Sequence, residues 1–385
     1  MAGYEDAENE WSRIENAIRT SLRYLRDRST RRSGRRSADR APFQGQRESG
    51  EVAALQRLPV EVQLDVMALL PPRDLCRLGC VNRYWNATVR DPLLWRYFLL
   101  RDLPCWNSVD HLSLPDAALL RKPLTGGVEQ DYMTAYLRSS PEGRKHWKLS
   151  HPAYSSMTSF LYSLVPQAEP RFAMFGPGLE QLDSSLVTKM MNSPGLLPLA
   201  TLPQRQIDGI GSGISFLFNS TNKFNILTLY STTWKERECA RREENEVVNK
   251  LFVRQDAAGG QGDAQGDGRQ EPGYTIIPPV QKVCRVVNGF IYVANAEARR
   301  RHEREQEWLQ ILALIDPALG SPSRPVLVLC CVSTPDVARI PCVYVSHQLH
   351  LNQLDRPWLA HDTDAQSLGG FLEGIEWILQ EVGRL

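Results

Sequence analysis

Between Leu58 and Arg96 large apolar residues recur at helical spacing, yet helix-stopping residues cut the run at short intervals. The stretch reads LPVEVQLDVMALLPPRDLCRLGCVNRYWNATVRDPLLWR. Pro59 suits a first helical turn, where a missing N–H costs nothing. Val62, Val66, Leu69 and Leu70 follow as an apolar stripe, and Pro71-Pro72 ends it. Asp74 is expected to cap a second helix presenting Leu75, Leu78 and Val81, and Asn82 to cap a third. Asp91-Pro92 opens another, carrying Leu93, Leu94 and Trp95. Three or four helices in about 40 residues hide only a modest fraction of their surface. The surplus apolar surface predicts a partner.

This pattern resembles the F-box family. Leu58-Pro59, Glu61-Val62, Asp74-Leu75, Leu78, Val81-Asn82-Arg83, Trp85, Asp91-Pro92 and Leu94-Trp95-Arg96 all stand where that family's pattern expects them. The resemblance implies docking on the Skp adaptor, and through it on a cullin scaffold and a RING subunit. We assign Leu58, Pro59, Val62, Val66, Leu75, Leu78 and Val81 to the expected adaptor-binding surface.

The remaining chain divides by composition. Residues 1–50 form a basic tail with almost no apolar residue from Ser29 to Gly50 and are expected to be largely disordered. Within the tail, Trp11, Ile14, Ile18, Leu22 and Leu25 share one helical face, so a short helix that pairs with itself in a homodimer, or with a partner, stays open beside a helix that forms only in part. The Arg31-Arg32-Ser33 and Arg35-Arg36-Ser37 runs read as a solvated tail, with nuclear import or basophilic phosphorylation as the alternatives. Residues 51–100 are expected, from the resemblance, to be the F-box. Residues 101–165 read as a helical linker, with short helices near Leu112–Leu120 and Asp131–Leu137 and a mobile loop at Ser139–Ser150.

From residue 166 to 385, β-rich runs alternate with helical segments. Strands are expected at Arg171–Phe175, Ile214–Phe218, Phe224–Tyr230, Phe290–Ala294, Pro325–Val332 and Cys342–Val345. Helices are expected around Leu179–Met190 and over Trp234–Phe252, Gln281–Val287, Ala296–Leu314 and Leu368–Val382. Such alternation predicts a doubly wound, mainly parallel sheet. The Gly-, Gln- and Asp-rich run 255–273 reads as a flexible loop, since loop length costs only logarithmically.

Phosphate-binding motifs are absent. After the first strand stands Phe175-Gly176-Pro177-Gly178, but in neither register does the G-x-x-x-x-G-K-[ST] pattern find its second Gly or its Lys. Glu180 and Asp183 add negative charge there. No N-K-x-D follows the 325–332 strand, where Ser333-Thr334-Pro335-Asp336 stands. The order of elements resembles a small GTPase without its nucleotide-binding motifs. No cofactor is expected, and no catalytic or metal-binding residue is assigned. A catalytically active small-GTPase-like enzyme is the weighed alternative.

Net charge is +1, which argues against direct nucleic-acid binding, and no run of 18 apolar residues marks a membrane span. The eight cysteines lack C-x-x-C or zinc-finger spacing and read as reduced thiols of a cytoplasmic protein, with the nucleus as a second location.

Strings such as WRYFLLRDLP, EPRFAMFGPGLE, LPQRQIDGIGSG, FNILTLYSTT, GFIYVANAEA and GIEWIL, over roughly residues 52–382, resemble F-box proteins with a degenerate GTPase-like domain. That resemblance implies a non-catalytic substrate receptor of an SCF-type ubiquitin ligase, whose clients in the family include a telomere-repeat-binding factor and D-type cyclins. For client binding we single out Ile214, Ser215, Phe216, Leu217 and Phe218, an alternating segment expected at an exposed sheet edge where a client strand could add.

Overall fold

The computed structural model describes residues 54–117, 119, 131–150, 169–207, 211–230, 250–254 and 273–383. Expectations for residues 1–50, for the 255–272 loop and for nearly all of the Trp234–Phe252 helix lie outside these. The chain divides into two units. Among the described residues, 54–105 and 115–147 form a helical unit, and 106–114 with those from 148 onward form an α/β unit.

After a 3-10 turn at Ala54–Arg57, the helical unit runs through α1 (Val60–Ala68), α2 (Pro72–Gly79), α3 (Arg83–Val89), α4 (Pro92–Asp102) and α5 (Tyr132–Ser139). The local signals act as the sequence predicts at three helix starts. Pro59 flanks α1, the Asn82 side chain accepts the Trp85 amide at 2.9 Å, and the Asp91 side chain accepts that of Leu93 at 2.9 Å. At α2 the expectation fails. Pro71 is the flanking residue, Pro72 enters the first turn, and Asp74 lies inside the helix, paired with Arg77 at 2.8 Å. A proline already preset for the first turn leaves Asp74 one turn too late to cap.

Trp95 anchors this unit. It is fully buried, donates its indole N–H to the Val89 carbonyl at 2.7 Å, and packs its ring 5.9 Å from Phe98 and 5.5 Å from Tyr136. The Tyr136 hydroxyl donates to Asp102 at 2.7 Å, and Asp102 also takes two bonds from Arg101. This joins α5 to the end of α4. The expected loop at Ser139–Ser150 is instead a helix, α6 (Pro141–Ser150). Ser140 accepts the Gly143 amide at 3.2 Å ahead of Pro141, so a Ser-Pro start signal was present in the sequence and outweighed the polar composition.

The α/β unit is built on β1 (Ser108–Asp110), β2 (Arg171–Phe175), β3 (Leu199–Ile207), β4 (Gly211–Phe218), β5 (Asn222–Leu229), β8 (Gly289–Asn295), β9 (Val326–Val332) and β10 (Trp358–Asp364). Between them come α7 (Gly178–Gln181), α8 (Leu186–Met191), a small hairpin of β6 (Phe252–Arg254) and β7 (Tyr274–Ile276), α9 (Pro278–Val286), α10 (Arg304–Leu314) and α11 (Cys342–Gln348). The described elements end with α12 (Phe371–Glu381). The sheet order is β1-β10-β9-β8-β2-β5-β4-β3. The inner run from β10 to β5 is parallel, and β1, β4 and β3 are antiparallel additions.

Every residue of β8 and β9 is buried, as expected of parallel strands covered on both faces. On one face Ile291, Val293, Leu327 and Leu329 join Phe172, Met190, Phe371 and Ile378 in the main core. On the other, Tyr292 donates to Glu307 of α10 at 2.6 Å, and Arg304 bonds the same carboxylate at 2.8 Å.

Several elements differ from expectation. Cys342–Val345 begins helix α11 and is not a strand. Cys342, Val343, Tyr344, Val345 and Ser346 are all buried, so the segment has no polar face from which a helical period could be read. The helix expected over Ala296–Leu314 starts only at Arg304, because Glu297 forms an isolated bridge with Arg339 and holds the preceding residues as a turn. Phe252, expected to end a helix, opens β6. The Leu179–Met190 stripe is buried as expected but divides into α7 and α8. β1, β3 and β10 were not expected, and β1 brings part of the expected helical linker into the sheet.

Candidate docking surface

Leu58, Val62, Val66 and Leu69 follow at steps of four, four and three and line one side of the start of the helical unit. All are exposed, Leu69 at 84%, while Leu64, Met67 and Ala68 turn into the core. Val81, 67% exposed, and Tyr84 present further apolar surface from the segment after α2, and Pro59 is exposed beside Leu58. Of twelve exposed large hydrophobic residues among the described ones, seven fall between Leu55 and Tyr84. Scattered single residues of this kind are ordinary, but such clustering marks an interaction surface. A buried polar tether fixes the ridge. Gln63 donates to the Leu58 carbonyl at 2.8 Å and accepts the Tyr84 hydroxyl at 2.9 Å, linking α1 to α3.

Two assigned residues stand differently. Leu75 is fully buried and belongs to the core of the helical unit, so it presents nothing to a partner. Leu78 is only half-buried. Their spacing placed both on an apolar stripe, but a stripe does not say which of its members the neighbouring helices cover.

The segment Ile214–Phe218 is not a sheet edge. Its strand, β4, pairs with β5 on one side and β3 on the other. Ile214, Phe216 and Phe218 face the core, Leu217 is half-exposed, and the Ser215 hydroxyl donates to Asn225 across the ladder at 2.5 Å. An unforeseen strand, β3, takes the outer position, and its pairing carries register shifts between Leu199 and Ile207.

The crevice outside the carboxyl ends of parallel strands is the usual ligand site of such sheets. Here the chain's own groups fill it. Glu297, largely buried, accepts the Ser333 amide at 3.0 Å, its hydroxyl at 2.5 Å and Arg300 at 3.0 Å. Burial, the largest single influence, pushes this carboxyl upward. The Ser333 hydrogen bonds and Arg300 together outweigh it and hold the group below the usual carboxylate range. Arg300 also meets Asp183 at 3.2 Å, and the Asp183 amide donates to Ser333. Gly176, at φ +125°, and Gly178 press on β8, where a Cβ would come within 2.5 Å of the Val293 carbonyl and 2.7 Å of its side chain. These glycines serve close packing against β8.

No group of three or more potential metal ligands occurs among the described residues, and no helix there is long and apolar enough to cross a membrane. Burial raises the thiols of Cys284, Cys330 and Cys331, as expected of core cysteines and opposite to an activated nucleophile.

Residues 55–101 match the F-box-like family model. Over 382 residues the chain is 52% identical to human F-box only protein 4, covering 97% of this chain and 94% of that protein. The mouse protein of the same name is 51% identical over 389 residues, covering 99% and 96%, and the bovine one is 52% identical over 377 residues, covering 97% and 94%. The chain belongs to the F-box only protein 4 family.

In this member of the F-box only protein 4 family the match spans the 3-10 turn and α1 to α4, except the first residue of the turn and the last of α4, and so contains the whole exposed ridge. Leu55, Leu69 and Tyr84 join that ridge without having been assigned from the sequence. Leu69 was legible as the next step of the Val62–Val66 stripe. Tyr84 was not, since only its bond to Gln63 places it there.

Proposed function

We propose that this chain is the substrate-recognition subunit of an SCF-type ubiquitin ligase. The observation that carries the reading is the exposed ridge of Leu58, Pro59, Val62, Val66, Leu69 and Val81 within the F-box-like segment. It docks on the Skp adaptor, which joins it to the cullin and RING subunits. Each large aliphatic side chain contributes up to roughly 1.5–3 kcal/mol when fully buried, so several suffice for a stable complex. The α/β unit then holds the client. By family resemblance the clients are a telomere-repeat-binding factor and D-type cyclins, met in the cytoplasm and also in the nucleus.

The α/β unit is a GTPase-like scaffold used without catalysis. The order β4-β5-β2-β8-β9-β10, with only β4 antiparallel, supports the likeness, and the crevice filled by Glu297 supports the loss of nucleotide binding. Client capture by strand addition fits the outer strand β3 better than Ile214–Phe218, whose main-chain groups already pair on both sides.

A pull-down decides the adaptor assignment. Replacing Leu58 and Pro59 with Ala is expected to remove most of the adaptor while leaving the fold intact. Adaptor recovery equal to wild type sinks the reading. Calorimetry with GTP and magnesium is expected to show no binding, and measurable affinity would favour the enzyme alternative.

A further inference from the structure

One buried polar side chain in the helical unit touches both arms of the exposed ridge. Gln63 is 1% exposed and stands on α1 among the buried apolar residues Leu64, Met67 and Ala68. An apolar residue there would fill the interior without desolvating an amide, so a glutamine is tolerated only where its polar atoms find partners. Its amide nitrogen donates to the Leu58 carbonyl at 2.8 Å and lies 3.5 Å from that of Gln56. Its oxygen accepts the Tyr84 hydroxyl at 2.9 Å. Carbonyls only accept and a hydroxyl also donates, so the amide has one consistent orientation.

What these bonds hold is surface, not core. The hydrogen bond from the Leu58 amide to the Leu55 carbonyl, at 3.3 Å, stays within the first segment. Pro59, which follows, has no N–H and makes no side-chain bond at the start of α1. The Gln63 amide ties this segment, with its exposed Leu55 and Leu58, to α1. Tyr84 belongs to the other arm. It is 40% exposed in the first turn of α3, three residues after exposed Val81, with its ring edge-on to buried Trp85 at 5.1 Å. A single side chain thus spans from the Leu58 arm to the Val81–Tyr84 arm.

We propose that Gln63 is a positioning residue for adaptor docking. It touches no partner itself. It holds the two arms at one spacing in the free chain, so that docking costs little further conformational freedom. Without it the Leu58 carbonyl and the Tyr84 hydroxyl turn to water, and the two arms move independently. This role rests on the ligase reading of the ridge.

The test titrates purified Skp adaptor into the full-length chain by calorimetry and follows thermal unfolding of each variant alone. Gln63→Met keeps the unbranched shape and removes the bonds to both arms. It should weaken adaptor binding about tenfold, the worth of one or two such hydrogen bonds, while Tm stays within about 3 °C of wild type. A glutamine that only supports the core gives the reverse, a lower Tm with unchanged affinity. Gln63→Glu adds a pH readout. When protonated, its carboxyl donates to Leu58 and accepts from Tyr84 as the amide does. When ionised, it only accepts and faces the Leu58 carbonyl without a donor. Burial favours the protonated form. Its affinity, as a ratio to wild type at the same pH, should recover about tenfold between about pH 8 and about pH 5, whereas that of Gln63→Met should not change. Equal affinity for Gln63→Met and wild type, or a Gln63→Glu ratio that ignores pH, overturns the positioning role. Failure of wild type itself to bind the adaptor overturns the ligase reading and this role with it.

Discussion

The helical unit and the α/β unit treat their apolar residues in opposite ways. Seven exposed large hydrophobic residues crowd the stretch from Leu55 to Tyr84, whereas β8 and β9 expose none of theirs. A sheet covered on both faces absorbs apolar side chains in either direction. Four short helices have one shared interior, already filled by Trp95, Leu75 and Phe98. What does not fit inside is left for another polypeptide. The polar groups reverse this contrast. The α/β unit buries Glu297 against Ser333 and Arg300, and Arg304 against Glu307, while the F-box helices keep their Asp74–Arg77 pair at the surface.

The sharpest way to break this comparison is to truncate one residue of each kind. Leu75→Ala should cost about 2–5 kcal/mol by denaturant unfolding, as a fully buried leucine does. Val62→Ala should leave stability within about 1 kcal/mol while weakening adaptor binding. If the two variants lose stability equally, the ridge is not a free surface.

Asp362 probes the α/β unit alone. Burial raises its carboxyl to about 7, against the favourable effects of Arg339 and the Cys342 amide, which donates to it at 3.0 Å. A carboxyl raised above its unfolded value binds protons more readily in the folded state. Its stabilising contribution is therefore complete below about pH 4 and is lost as pH rises through about 7, by an amount on the order of a few kcal/mol. Asp362→Asn should flatten the pH dependence of Tm across that window, and an unchanged slope would refute the assignment.

Smaller effects test the local signals. Asn82→Ala removes the cap of α3 and should cost about 1 kcal/mol in chemical denaturation. Asp74→Ala should change stability by less than about 0.5 kcal/mol, because its pair with Arg77 is exposed and caps nothing. A larger loss for Asp74 than for Asn82 would restore the capping role first expected of it.

Legibility followed the same division. In the F-box segment Pro59, Asn82 and Asp91-Pro92 act within one turn of themselves, so helix starts could be read directly. The buried strands β2, β8 and β9 were legible as apolar runs. β10 was not. Its residues His361, Asp362, Thr363 and Asp364 look like a loop, yet they reach the carboxyl end of the sheet, where the Asp362 side chain accepts the Cys342 amide and that of Asp364 the Gln366 amide. The Ile214–Phe218 segment is a strand as expected, but its place in the sheet was not legible, because β3 lacked a strand pattern strong enough to be foreseen.

Short-range chemistry was therefore open to reading from the chain alone. It covered where helices begin, which runs are greasy enough to be strands, that the phosphate motifs are missing, and that apolar residues near one end exceed what their helices can hide. Only the folded arrangement decided that Leu75 turns inward while Val62 stays outside, that CVYV coils into a helix, and that β3 takes the outer position beside Ile214–Phe218. Those outcomes depend on which surfaces meet. Side chains distant along the chain compete for the same interior volume and hydrogen-bond partners, and no local window contains the competitors.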